Sequence, residues 1–263
     1  MTKISFLGTG KMAAALISSI HKKDFVKSII ASGRNEENLD KIKNKFNIKT
    51  TKDNKEAARN SDVIFLCVKP QDFDLLLNEI KSEVKSQLIV SIAAGIRTIH
   101  IEKILGKRRV IRVMPNVNCL VGEMAAGFAG GKYAKKEDMD LVEKILSVSG
   151  LAIKVKENQL DALSTISGCG PAFFAYFIKH MCDAAAKKGL PRETAYKLAA
   201  KTLQGTGKLL LEKNLSPDEL IKMVTSKKGV TLAGLEVLEK EKAGKILEKM
   251  IFAAHKRSLE LGK

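Results

Sequence analysis

The sequence predicts an α/β fold: a doubly wound, mostly parallel sheet over residues 1–157, then an all-α region over residues 158–263. Two observations carry this expectation. In the first part, short apolar runs alternate with amphipathic polar stretches, which is the rhythm of βαβ units joined by right-handed crossovers. From about Asp161 the strand-like runs stop and helical periods follow one another.

Taken in order, strands are expected at residues 3–8, 28–32, 62–68, 88–93, 110–114, 125–129 and 152–155. Several, such as Asp62-Val63-Ile64-Phe65-Leu66-Cys67-Val68, are nearly continuous apolar runs. Strands covered on both faces of a parallel sheet read this way, because neither face meets water. Helical patterns lie between them, among others at 12–21, 36–46 and 73–84. The second part reads as helices at 161–188, 191–213, 216–226, 231–240 and 243–262, punctuated by Gly189-Leu190-Pro191 and Ser216-Pro217. In Ser216-Pro217-Asp218-Glu219 a capping hydroxyl precedes Pro at the first helical position and acids in the first turn. Residues 171–186 are apolar almost all round and must be enclosed. A region of this size offers little to enclose them, so a subunit interface is expected besides a core.

Composition narrows the function classes. The 46 basic and 29 acidic side chains leave a net charge of +17. Only eight of the basic residues are Arg, aromatics make up 5%, and Trp is absent. The lysines are scattered at helical spacings rather than clustered with interleaved aromatics, so a solvated surface is expected and not a nucleic-acid interface. No run approaches the roughly 18 apolar residues of a membrane span, and MTKISFLGTG does not read as a signal peptide. The four cysteines (Cys67, Cys119, Cys169, Cys182) contain no CxxC spacing. Free thiols in a reducing cytoplasm fit them better than zinc or disulfides. The four histidines form no motif, and no metal site is expected.

One motif points to a cofactor. The first strand runs into Gly8-Thr9-Gly10-Lys11-Met12-Ala13, a G-x-G-x-x-A turn that opens a helix. The first Gly makes the tight turn, the second admits a pyrophosphate, and the small third residue allows close helix–strand packing; free N–H groups then face the phosphates. This predicts a dinucleotide site in a Rossmann-type sheet. At the end of the second strand, where an NAD site would carry an acid for the ribose hydroxyls, the chain reads Ser32-Gly33-Arg34-Asn35. A hydroxyl and a guanidinium suit a 2′-phosphate, so NADPH is expected, with NADH weaker.

The chain carries, in order, Gly8 to Ala15, Val63 through Lys69-Pro70, Ser91-Ile92-Ala93-Ala94-Gly95 and Met114-Pro115-Asn116. There follow Ser167-Gly168-Cys169-Gly170-Pro171-Ala172, Gly189-Leu190-Pro191 and Thr225-Ser226 with Gly229-Val230-Thr231. This order of motifs resembles the pyrroline-5-carboxylate reductase family along essentially the whole chain. The resemblance implies reduction of 1-pyrroline-5-carboxylate to L-proline by hydride from NADPH, the last step of proline biosynthesis. It also implies a helical dimerisation domain, in a homodimer or a larger assembly of dimers whose active site includes helices of the partner. Carried over, Asn54, Val68, Lys69, Pro70 and Ala94 look like cofactor contacts. Glu157 looks like an acid near the substrate. Ser226, Val230 and Thr231 match the loop that holds the substrate carboxylate, and the Thr231 hydroxyl matches the group beside the ring nitrogen. Such chemistry needs a hydride donor, an anchored carboxylate and a proton, which either Thr231 or water can deliver.

The chain departs from the family in one loop. Where Ser-Pro-Gly-Gly-Thr-Thr is usual, it has Ser226-Lys227-Lys228-Gly229-Val230-Thr231. Lys does not readily take the positive φ that Gly tolerates, so an altered carboxylate loop is expected. The added cations leave open a related reductase acting on another cyclic imine or small acid.

Overall fold

The computed structural model describes residues 1–261. The chain forms two compact units: Met1–Cys169 with the stretch from Ala254 on, and Gly170–Ala253. The first unit is built on β1 (Thr2–Leu7), β2 (Val26–Ser32), β3 (Lys49–Thr51), β4 (Val63–Leu66), β5 (Leu88–Ser91), β6 (Val110–Met114), β7 (Met124–Gly130) and β8 (Gly150–Lys154). They form one sheet in the order β3-β2-β1-β4-β5-β6-β7-β8. Among the described residues, only the β6–β7 pairing is antiparallel. The connecting helices are α1 (Lys11–Ile20), α2 (Glu36–Phe46), α3 (Asn54–Arg59), α4 (Phe73–Ile80), α5 (Thr98–Leu105) and α6 (Lys136–Ser147). The sheet is thus doubly wound and mostly parallel, with a chain reversal at β7.

Period-two alternation divides the core between the two faces. Phe6, Val63, Phe65, Val90, Ile111 and Val113 share one buried cluster with Ala13, Leu16 and Ile17 of α1 and Val142 and Ile145 of α6. Leu7, Ile64, Leu66 and Ile89 share the other with Leu77 and Ile80 of α4 and Ile101 of α5. Phe6 and Phe65 lie opposite each other in register and stack at 4.8 Å. Helix starts follow local chemistry. Asn35 caps α2 by accepting from the Asn38 N–H at 2.8 Å. Asp53 caps α3 by accepting from the N–H groups of Lys55 and Glu56.

By packing, the first unit runs on past position 157, to Cys169. A further helix, α7 (Leu160–Ser167), lies on the sheet: Leu160 is fully buried in a cluster with Met114 and Ala129. Asp161 accepts from the buried Arg112 guanidinium at 3.1 Å and from the Ser258 hydroxyl at 3.2 Å. Asn116 donates to the Ser167 carbonyl at 3.0 Å.

The second unit holds α8 (Gly170–Ala186), α9 (Arg192–Glu212), α10 (Pro217–Val224), α11 (Val230–Lys240) and the larger part of α12 (Ala243–Leu261). The helix expected at 161–188 is therefore two, parted at Gly168-Cys169. Position 262 of the last expected helix and position 263 lie outside the described residues. The Ser216 signal holds in full. Its hydroxyl accepts from the Glu219 N–H, and Glu219 accepts from the Ser216 N–H, a reciprocal capping box. The Ser216 N–H and the Ser216 hydroxyl both donate to the Glu219 carboxylate and hold it below its ordinary range. Helix α8 is not enclosed within one chain: Phe174, Tyr176 and Met181 are 49%, 61% and 63% exposed.

Candidate active site

In an open parallel sheet, ligands bind beyond the carboxyl ends of the strands, where the strand order reverses. Here the order reverses between β1 and β4. A cleft of about 440 Å3 lies there. Its walls come from the turns that follow β1, β2 and β4: Gly8-Thr9-Gly10, Gly33-Arg34-Asn35 and Cys67-Val68-Lys69. Asn54 and α4 complete it.

The glycine turn fits a pyrophosphate. Gly8 has φ +106°, and a Cβ there would stand 2.8 Å from the Cys67 carbonyl, so only Gly lets β1 turn against β4. At Gly10 a Cβ would meet no protein atom within 4 Å, so the backbone is open to a ligand on that side. Ala13 is fully buried and lets α1 pack close. No side chain caps α1. Lys11 and Met12 therefore open the helix with main-chain N–H groups free for an anion. The residues present fit the dinucleotide that the motif implies.

The ribose end is built by four elements. Arg34 lies in the turn after β2 and reaches Asp72 Oδ1 through Nη2 at 3.0 Å. Ser32 does not line the cleft: fully buried, it donates its hydroxyl to Asn54 Oδ1 at 2.7 Å and so fixes the amide. Asn54 Nδ2 then donates to Glu79 Oε2 at 2.9 Å. Pro70 opens the short 3-10 turn Pro70–Asp72, which puts Gln71 and Asp72 on the cleft wall. Ala94 stands exposed in the turn after β5, outside that wall. Cys67 lines the cleft as a neutral group, since burial pushes its thiol far above the ordinary range.

Asn38, Gln71, Asp72, Leu75, Leu76 and Glu79 also line this cleft, and the motif reading does not single them out. A usable signal is present. Asp72, Leu75, Leu76 and Glu79 follow i, i+3, i+4, i+7, so Asp72 just before α4 and Glu79 within it fall on one face beside apolar residues.

Glu157 is committed on both oxygens: Oε1 accepts from the Thr98 N–H at 2.7 Å and Oε2 from the Thr98 hydroxyl at 2.8 Å. It thereby caps α5, which has no cap from Arg97. In the second unit Ser226, Val230 and Thr231 fall together around the start of α11. Gly229 precedes the helix and no side chain caps it, so the first N–H groups of α11 are free. The Gly229 N–H donates to the Ser226 carbonyl at 3.0 Å, which closes the turn. Lys228 sits at φ +61°, in the left-handed region that Gly takes more readily.

A family model described as pyrroline-5-carboxylate reductase dimerisation matches residues 157–261, and one described as NADP oxidoreductase, coenzyme F420-dependent, matches residues 3–95. A pyrroline-5-carboxylate reductase from Methanosarcina acetivorans is 39% identical over 99% of this chain and 98% of its own. The chain belongs to the pyrroline-5-carboxylate reductase family. Among solved structures of that family, the Coxiella burnetii reductase is similar with a TM-score of 0.94 at 33% identity, over 100% of this chain and 99% of that one. The Plasmodium falciparum reductase, solved with NADP bound, gives 0.88 at 30% identity over 100% and 98%.

Proposed function

We infer that the protein reduces 1-pyrroline-5-carboxylate to L-proline with NADPH as hydride donor, the closing step of proline biosynthesis. Full-length identity with the family, spanning the nucleotide unit and the helical unit alike, carries this reading.

Bound NADPH supplies the hydride; the chain supplies orientation and a proton route. Gly8, Thr9 and Gly10, with the N–H groups of Lys11 and Met12, hold the pyrophosphate. Arg34 and Asn35 take the 2′-phosphate, and Asn54, held by Ser32, takes the ribose. Val68, Lys69, Pro70 and Ala94 serve the rest of the cofactor. On the substrate side, Ser226, Val230 and Thr231 hold the carboxylate through hydroxyls and free N–H groups at the start of α11. The Thr231 hydroxyl serves the ring nitrogen, whose proton comes either from this hydroxyl, re-protonated by water, or from water directly. Glu157, fixed by Thr98, is the acid that the family resemblance assigns to the substrate. The working protein is a homodimer or an assembly of dimers, and NADH is a weaker donor. Four free cysteines suit the cytoplasm as its compartment.

The test is spectrophotometric oxidation of NADPH with pyrroline-5-carboxylate beside other cyclic imines. Turnover highest on pyrroline-5-carboxylate is the expected result. A higher kcat/KM on another cyclic imine would assign the Lys227-Lys228 loop to that substrate instead.

A further inference from the structure

The ribose end of the cleft brings its own anions. Arg34 is paired with Asp72 at 3.0 Å, and Asn54 donates to Glu79 at 2.9 Å. The two donors best placed for a ribose phosphate therefore already face carboxylates of this chain. A 2′-phosphate must take Arg34 from Asp72 and then lie in a cleft that Asp72 and Glu79 both line. A free 2′-hydroxyl asks for neither: it can donate to a carboxylate while Arg34 stays paired. The same four side chains thus treat the two forms of the cofactor unequally, and in the direction opposite to Arg34 alone.

We propose that Asp72 is a specificity-determining residue: it competes with the cofactor 2′-phosphate for Arg34 and so narrows the preference for NADPH over NADH. This rests on the reading that Arg34 receives that phosphate. The exchange is physically easy. The Arg34 side chain is 81% exposed and that of Asp72 28%, so the guanidinium is the mobile partner and water screens the pair. Asp72 is the fixed partner, because its N–H donates to the Lys69 carbonyl at 3.0 Å within the turn Pro70–Asp72. It precedes α4 without capping it, so loss of the carboxylate removes no cap.

The experiment is calorimetric binding of NADP+ and NAD+ to the wild type, Asp72→Asn, Arg34→Ala and the double variant, at one ionic strength. Melting curves serve as the folding control, and Asp72→Ser replaces Asp72→Asn if the latter melts early. Asp72→Asn is expected to raise the ratio of NADP+ to NAD+ affinity by about two- to fivefold, the range of a screened ion pair. In the Arg34→Ala background that gain should vanish, since the competition needs both partners. An unchanged or lowered ratio in Asp72→Asn overturns the proposal. So does a gain that persists in full without Arg34, which would mean direct repulsion. The single variant Arg34→Ala tests the underlying reading separately: NADP+ affinity unchanged there removes Arg34 from the phosphate site, whatever Asp72→Asn does.

Discussion

At the scale of single residues, the loop before α11 carries the departure with the plainest physical consequence. Lys228 holds φ +61°, a conformation in which its Cβ crowds the backbone at a cost of about 1 kcal/mol. Lys228→Gly should therefore stabilise the protein by about 1 kcal/mol, read as a shift of the denaturant midpoint. A lower midpoint would show that the Lys228 side chain contributes more than its backbone costs. Legibility at this scale followed contiguity. Gly8, Thr9, Gly10, Arg34, Asn35, Asn54, Val68 and Lys69 all line the cleft, because each sits in or next to a turn at a strand end. Asp72 and Glu79 were hidden, since acids on a helix read as a solvated face until the opposite wall is known. The bond between Glu157 and Thr98 spans 59 positions and leaves no local trace.

At the scale of elements, buried parallel strands announce themselves, and of the two edge strands β8 does but β3 does not. Strands β4 and β5 are apolar at nearly every position, as their complete burial demands. The edge strand β3 is three residues, Lys49–Thr51, with no apolar side chain to reveal it. Helices α3 and α5 are short, at six and eight residues, which leaves too few turns for a period to stand out. Helix α5 also shows why Glu157 matters without any ligand. Both carboxylate oxygens close on Thr98, the first residue of that helix. Glu157→Ala should lower stability by about 1 kcal/mol in the free protein, as loss of a cap does. Thermal melting without substrate checks this. An unchanged melting temperature with a raised KM would confine Glu157 to the substrate.

At the scale of the molecule, the two units differ in how far each closes its own core. The first buries both faces of its central strands. The second leaves Phe174, Tyr176, Met181, Leu198, Leu211 and Phe252 largely exposed, so its helices need a second surface. Activity and melting temperature should both fall on dilution through the dissociation range, tracked by light scattering. A stable, active monomer would overturn the expected assembly. The all-α nature of this unit was legible from periodicity, and the break at Gly168-Cys169 carries a local signal of its own, Gly168 and Gly170 with Pro171 next. The returning tail has a consequence for biosynthesis. Ser258, which donates to Asp161 beside the buried Arg112, is translated only after the whole helical unit between them. The nucleotide unit therefore leaves the ribosome incomplete, and a fragment ending at Cys169 is not the isolated domain. Any truncation meant to yield that domain has to rejoin the last helical turns to it, by a linker or by circular permutation.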